Sequence, residues 1–123
     1  MSTLENMEVI STYTRQEAIE DGILADISHT SEAKEAGFKI PICATQALWQ
    51  KIKDEVPEGQ DWHGRLWDVC FMASFRVRTA LKTNEDSSLL EFKVRFAEDC
   101  KDSILWITFN KYEGFTILFP EDY

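Results

Sequence analysis

The sequence predicts an α+β fold, with about four helices, the longest near residues 62–82, packed on a C-terminal three-stranded antiparallel meander. Two observations carry that expectation. Apolar residues recur at helical spacing, punctuated by cap signals, as far as residue 82, and beyond a polar loop at 83–88 the apolar period drops to two. Helices first and strands last is the pattern of segregated α and β layers. The chain has 123 residues, 44% of them apolar and 12% aromatic, which is enough for one domain with its own core. Residues 1–11 read as a loose tail and residues 12–123 as the single domain.

The elements follow in order. Thr14 with Glu17 three positions on forms a capping box, and Gly22 suits the left-handed conformation that ends a helix, so a first helix covers about 15–21. Residues 23–27 are a short extended piece. Ser28 or Thr30 caps a second small helix through Ala33 and Ala36, closed by Gly37. Residues 38–42 are extended, because Pro41 disfavours helix at the residue before it. Thr45 caps a third helix with Leu48, Trp49 and Ile52 on one face, and Pro57-Glu58-Gly59 breaks it.

The fourth helix starts near Asp61. At about 100° per residue, Leu66, Val69, Cys70, Ala73, Val77, Ala80 and Leu81 share one continuous face. Trp67, Phe71, Met72 and Phe75 occupy other faces of its first half, which is therefore expected to be covered on most sides. Arg76, Arg78 and Lys82 lie toward the C-terminal end, where the helix dipole favours cations. Then Leu90, Phe92, Val94 and Phe96 alternate with Glu91, Lys93 and Arg95 as a half-buried strand. Leu105, Ile107 and Phe109 line one face of a second, residues 111–114 turn, and Phe115, Ile117 and Phe119 make a third that Pro120 stops.

Charge narrows the function classes. Thirteen basic residues against twenty-two acidic ones give a net charge of -9. That balance opposes direct nucleic-acid binding and an anionic membrane surface. It favours solubility and fits attraction to a basic protein surface. No apolar run approaches the roughly 18 residues of a membrane helix. Residues 1–8 lack the basic and apolar regions of a secretory signal. Cys43, Cys70 and Cys100 are scattered singly, which points to a reducing cytoplasm. His29 and His63 show no ligand spacing with them, so no metal and no cofactor are expected. Motifs for phosphate loops, serine nucleophiles and zinc proteases are missing from the sequence.

Several residues are candidates for chemistry. His63 has Asp61 and Asp68 nearby for general-base work, although Asp61 is better placed as a cap. Cys70 falls on the apolar face, where a cysteine behaves as an inert hydrophobe, whereas Cys43 flanks a helix start. Arg65 and Asp68 are three apart on a helix and able to pair; a partly buried Asp68 needs such a partner, and Arg15 is the other candidate. A structural pair is favoured over a catalytic one. The ligand-binding set is then Arg15, Arg65, Asp68 and His63, around a pocket between helices. Trp106 is out of phase with the apolar face of its strand and shares a face with Ile104, Thr108, Asn110, Thr116 and Leu118. That face, with Trp106 and Leu118 as its anchors, is either a protein-binding or homodimer surface or is covered by the N-terminal tail or a loop. Stacking of nucleic-acid bases on it would need more positive charge than Lys93 and Arg95 supply.

Residues 13–24, with Tyr13-Thr14-Arg15 and Asp21-Gly22, carry a resemblance, as do Ala36-Gly37-Phe38-Lys39-Ile40-Pro41, Thr45-Gln46-Ala47-Leu48-Trp49 and Gly64-Arg65-Leu66-Trp67-Asp68-Val69. Over about residues 11–80 the chain resembles a family of small uncharacterised proteins encoded on plasmids, phages and integrated elements. This chain has Gln46 where that family commonly has arginine. The resemblance implies a mobile-element context and supplies no reaction. With the charge, it leads to the expectation of a non-enzymatic accessory protein that binds a basic host or element protein, one form of which is a DNA mimic with an anti-defence role. The alternative is a small-ligand binder or enzyme with a pocket around Arg15, Arg65 and Asp68.

Overall fold

Local signals set the helices. The computed structural model describes residues 14–54, 61–85, 87–96 and 102–123. Helix α1 (Arg15–Glu20) opens on the capping box, with Thr14 accepting from the Glu17 backbone N–H. Strand β1 (Leu24–Asp26) follows, then α2 (Ser31–Glu35), capped by Thr30. Strand β2 (Ile42–Thr45) leads into α3 (Gln46–Asp54). Thr45, expected to cap α3, ends β2, and its hydroxyl donates to Asp122 Oδ2 at 2.8 Å. Helix α4 (Trp62–Lys82) starts at Asp61, whose carboxylate accepts from the His63 backbone N–H at 3.1 Å. Then come β3 (Leu89–Val94), β4 (Ser103–Asn110), β5 (Gly114–Leu118) and a 3-10 turn (Pro120–Asp122).

The expected meander of β3, β4 and β5 is present but is part of a larger sheet. Five strands run in the order β1-β2-β5-β4-β3. β2 lies parallel to β5, with Ile42 opposite Phe115, and β1 is antiparallel to β2. The two added strands have no alternating pattern to announce them. Ile42, Cys43 and Ala44 are all buried, because both faces of β2 are covered. A parallel pair joins segments far apart in the chain, which no local signal specifies.

Helices α2, α3 and α4 cover the inner face. There Leu48, Ile52, Leu66, Val69 and Cys70 pack with Ile42, Ala44, Leu105, Ile107 and Ile117 in one core. Ser74 Oγ donates to the Ala36 carbonyl at 2.7 Å, joining α4 to the end of α2. The outer face carries α1 and the 3-10 turn. The expected buried stripe of α4 holds from Leu66 to Ala80 and fails at Leu81, which is 72% exposed. The expected cover over the first half of α4 is also missing. Trp67, Phe71, Met72 and Phe75 are exposed, because the helix rests on the sheet by one face and no element lies over the other among the described residues. The expected N-terminal tail, Cys100 and the Pro57-Glu58-Gly59 break lie outside the described residues.

Candidate functional site

Arg15 fastens α1 to the outer face of the sheet. Its backbone N–H donates to Glu113 Oε2 at 3.2 Å. Its Nη2 donates to the Phe115 carbonyl at 2.7 Å and to Thr116 Oγ1 at 3.1 Å. Nε and Nη1 are buried with no hydrogen-bond partner. Beside this guanidinium is a cavity of about 370 Å³ lined in part by Asp26, Cys43, Tyr112 and Glu113. Burial pushes the Cys43 thiol up, against the opposing pull of the Arg15 guanidinium. The cavity thus sets one guanidinium beside two carboxylates, Asp26 and Glu113, while the two buried donors of Arg15 are enclosed in protein near the Cys43 thiol. Sequence reasoning named Arg15 but missed Cys43 and Glu113 as its neighbours, since they come from β2 and from the turn between β4 and β5.

Arg65 and Asp68 stand elsewhere. Arg65 is buried on the inner side, where Nη1 donates to the Lys51 carbonyl at 2.6 Å and the guanidinium lies 5.4 Å from the centre of the Phe96 ring. It ties α4 to the last turn of α3, whose carbonyls attract cations. The expected pair with Asp68 does not form. Asp68 sits on the exposed side of α4 in a depression lined by Phe71, Met72, Lys93, Arg95 and Asp102. Residues three apart lie only about 60° apart around the helix and could meet, but Arg65 sits at the edge of the buried side and turns to the Lys51 carbonyl, which leaves Asp68 at the surface. Burial among these neighbours still pushes the Asp68 carboxyl above the usual carboxylate range.

His63 stacks on Trp62 with ring centres 3.8 Å apart, and its Nδ1 lies 2.9 Å from Glu32 Oε2 on α2. The fold therefore gives it a carboxylate thirty-one positions away, while Asp61 caps the helix. Trp106 donates from Nε1 to Glu91 Oε1 at 3.2 Å and meets the ring of Tyr123 edge-on at 5.4 Å. Leu118 beside it is buried. At this point the 3-10 turn and Tyr123 cover part of the outer face, and Trp106 stays half-exposed. Cys70 is enclosed in the core, where burial, with Glu32 adding to it, pushes its thiol up to about 12. No cluster of metal-ligating side chains occurs among the described residues, and no helix there is long and apolar enough to cross a membrane.

These features define an α+β protein whose five-stranded mixed sheet carries three helices on one face and, on the other, a small polar site around one arginine. The chain belongs to a family of unknown function, DUF6573, whose model matches residues 1–111. No curated protein and no solved structure matches it.

Proposed function

We propose that this protein works by binding another protein through its acidic surface, as a cytoplasmic accessory protein of a mobile element. The observation that supports this most is where the carboxylates lie. The net charge is -9, and the outer side of the sheet carries Glu17 and Glu20 on α1, Asp21 at its end, Asp26 on β1, Glu91 on β3, and Glu121 and Asp122 on the 3-10 turn, against Arg15 and Lys93. In the helical layer Lys34, Lys51, Lys53, Arg76, Arg78 and Lys82 offset the carboxylates Glu32, Glu35, Asp54, Asp61 and Asp68. An acidic side of this kind suits a basic surface on a host or element protein. In its DNA-mimic form the carboxylates take the place of phosphates on a defence or DNA-processing protein. This mode of action requires no cofactor and no direct contact with nucleic acid or membrane.

The test is capture of partners from the native host with tagged protein, at low and then raised salt. A stoichiometric partner is expected to elute with salt, since exposed charge contacts are screened, and to be lost from a Glu17→Gln, Glu20→Gln, Asp21→Asn variant. Capture that ignores both salt and neutralisation counts against the reading. A second reading, a small-ligand binder, is favoured by the cavity of about 370 Å³ that Arg15, Asp26 and Glu113 line in part. It narrows the expected pocket to Arg15, because Arg65 and Asp68 are not part of that cavity. If no partner is captured, a thermal-shift screen of charged metabolites of both signs, with Arg15→Gln as control, decides it.

A further inference from the structure

We infer that the outward face of α4 is a two-fold interface with a second copy of this chain, the two helices running antiparallel. Trp67, Phe71 and Phe75 follow one another at four-residue intervals, so they form a single row along the helix. They are 39%, 39% and 56% exposed, and the first two rings stack at 4.8 Å. Met72 widens the row on the side facing β3. An aromatic ridge of this length in water is unusual on a monomer and typical of an interface centre.

The charges beside the ridge select the occupant. Asp61 and Asp68 flank its N-terminal half, with Lys93 and an ion-paired Arg95 and Asp102 across the depression beside Asp68, and Arg78 and Lys82 continue the row past Phe75. Asp61, Asp68, Arg78 and Lys82 are all exposed. Two copies related by a two-fold axis near Phe71 place the acidic end of each helix against the basic end of the other, and the aromatic rows against each other. A parallel pairing would set like charges together. Gly64 gives a second, independent observation. It lies on the outward side of the helix, where a Cβ would meet nothing within 4 Å. Neither the packing of the chain nor its backbone conformation at this position calls for a glycine, and its missing side chain lets another helix approach closely opposite the bulky Arg78. This surface is on the opposite side from the carboxylate-rich face, so the two proposals stand or fall separately.

The experiment is sedimentation velocity on the full chain from ~5 to ~200 μM, with far-UV circular dichroism to confirm folding. The wild type is expected to reach twice its 14.3 kDa chain mass. Phe71→Asp and, separately, Phe75→Lys are each expected to weaken the dimer at least about tenfold while remaining helical, since both positions are exposed. The charge pattern has its own signature. Arg78→Glu with Lys82→Glu, and Asp68→Lys on its own, should each dimerise weakly, and an equimolar mixture of the two variants should recover the dimer. A monomeric wild type, or a dimer indifferent to Phe71→Asp and Phe75→Lys, overturns the interface. A mixture that fails to recover overturns the antiparallel arrangement.

Discussion

Gly114 is where the two halves of the sheet come closest. It opens β5 with φ of +100°, and a Cβ placed there would run into the Pro41 carbonyl oxygen while lying 3.0 Å from its carbon and 3.3 Å from Ile40 Cγ2. That oxygen accepts from the Phe115 backbone N–H at 2.9 Å, beside the parallel pairing of β2 and β5. It cannot swing aside without losing this bond. Gly114→Ala therefore incurs two costs: roughly 1–2 kcal/mol for a side chain in a left-handed conformation, and on the order of 1–2 kcal/mol for the displaced or broken hydrogen bond. The expected loss is about 2–4 kcal/mol, a large share of a domain's typical stability of roughly 5–15 kcal/mol. Gly22→Ala is the control. Gly22 has φ of +79° with open space around its Cβ position, so only the conformational cost applies. Urea unfolding followed by tryptophan fluorescence, with the slope checked for constancy, gives both values. If Gly114→Ala costs no more than Gly22→Ala, the close approach of the two strands does not constrain the fold and the reasoning is wrong.

Two further outcomes are expected. Burial raises the Asp68 carboxyl above its unfolded value, so the folded state holds that proton more tightly than the unfolded state does, and this contribution makes stability fall as pH rises through the window between the two. Asp68→Asn should therefore stabilise the protein at neutral pH and bring no gain below the unfolded carboxylate range; equal stability at pH 7, measured by urea unfolding, would sink that account. Cys43 and Cys70 are both buried and both shifted toward the neutral thiol. In a Cys100→Ser background, neither should react with a thiol-specific reagent at pH 8 until denaturant is added, and fast labelling of the native protein would show that the core or the Arg15 site opens readily.

The caps at Thr14, Thr30 and Asp61, the helices and the three C-terminal strands are legible in the sequence because each depends on a local cause, whereas Thr45 goes to the distant Asp122 instead of capping α3. Thr14 with Glu17, Asp61 ahead of α4, and the alternation from Leu90 to Val94 all act within a few residues of themselves. β1 is legible only as an isolated extended piece, and the extended piece expected over 38–42 shares only Ile42 with β2, since a strand of three or four residues owes its place to partners such as Phe115 far along the chain. The same limit governed the candidate site. Arg15 is a sequence candidate as the alternative partner of Asp68, but it lies across β5 beside Cys43 and Glu113, on the other face of the sheet from α4, and that depends on the crossing of distant segments. Arg65 and Asp68 are three positions apart in sequence, and the fold draws one to the Lys51 carbonyl and leaves the other at the surface.

The sequence by itself determined an acidic α+β chain, the starts of α1, α2 and α4 and the C-terminal meander, because composition, capping and periodicity are properties of short segments. The tertiary structure alone decided which apolar residues stay outside. Trp67, Phe71 and Phe75 are as hydrophobic as the buried face of α4 and differ from it only in the direction they point once that helix lies on the sheet. Burial is settled by what packs against a surface, and that is fixed only when the whole chain has folded.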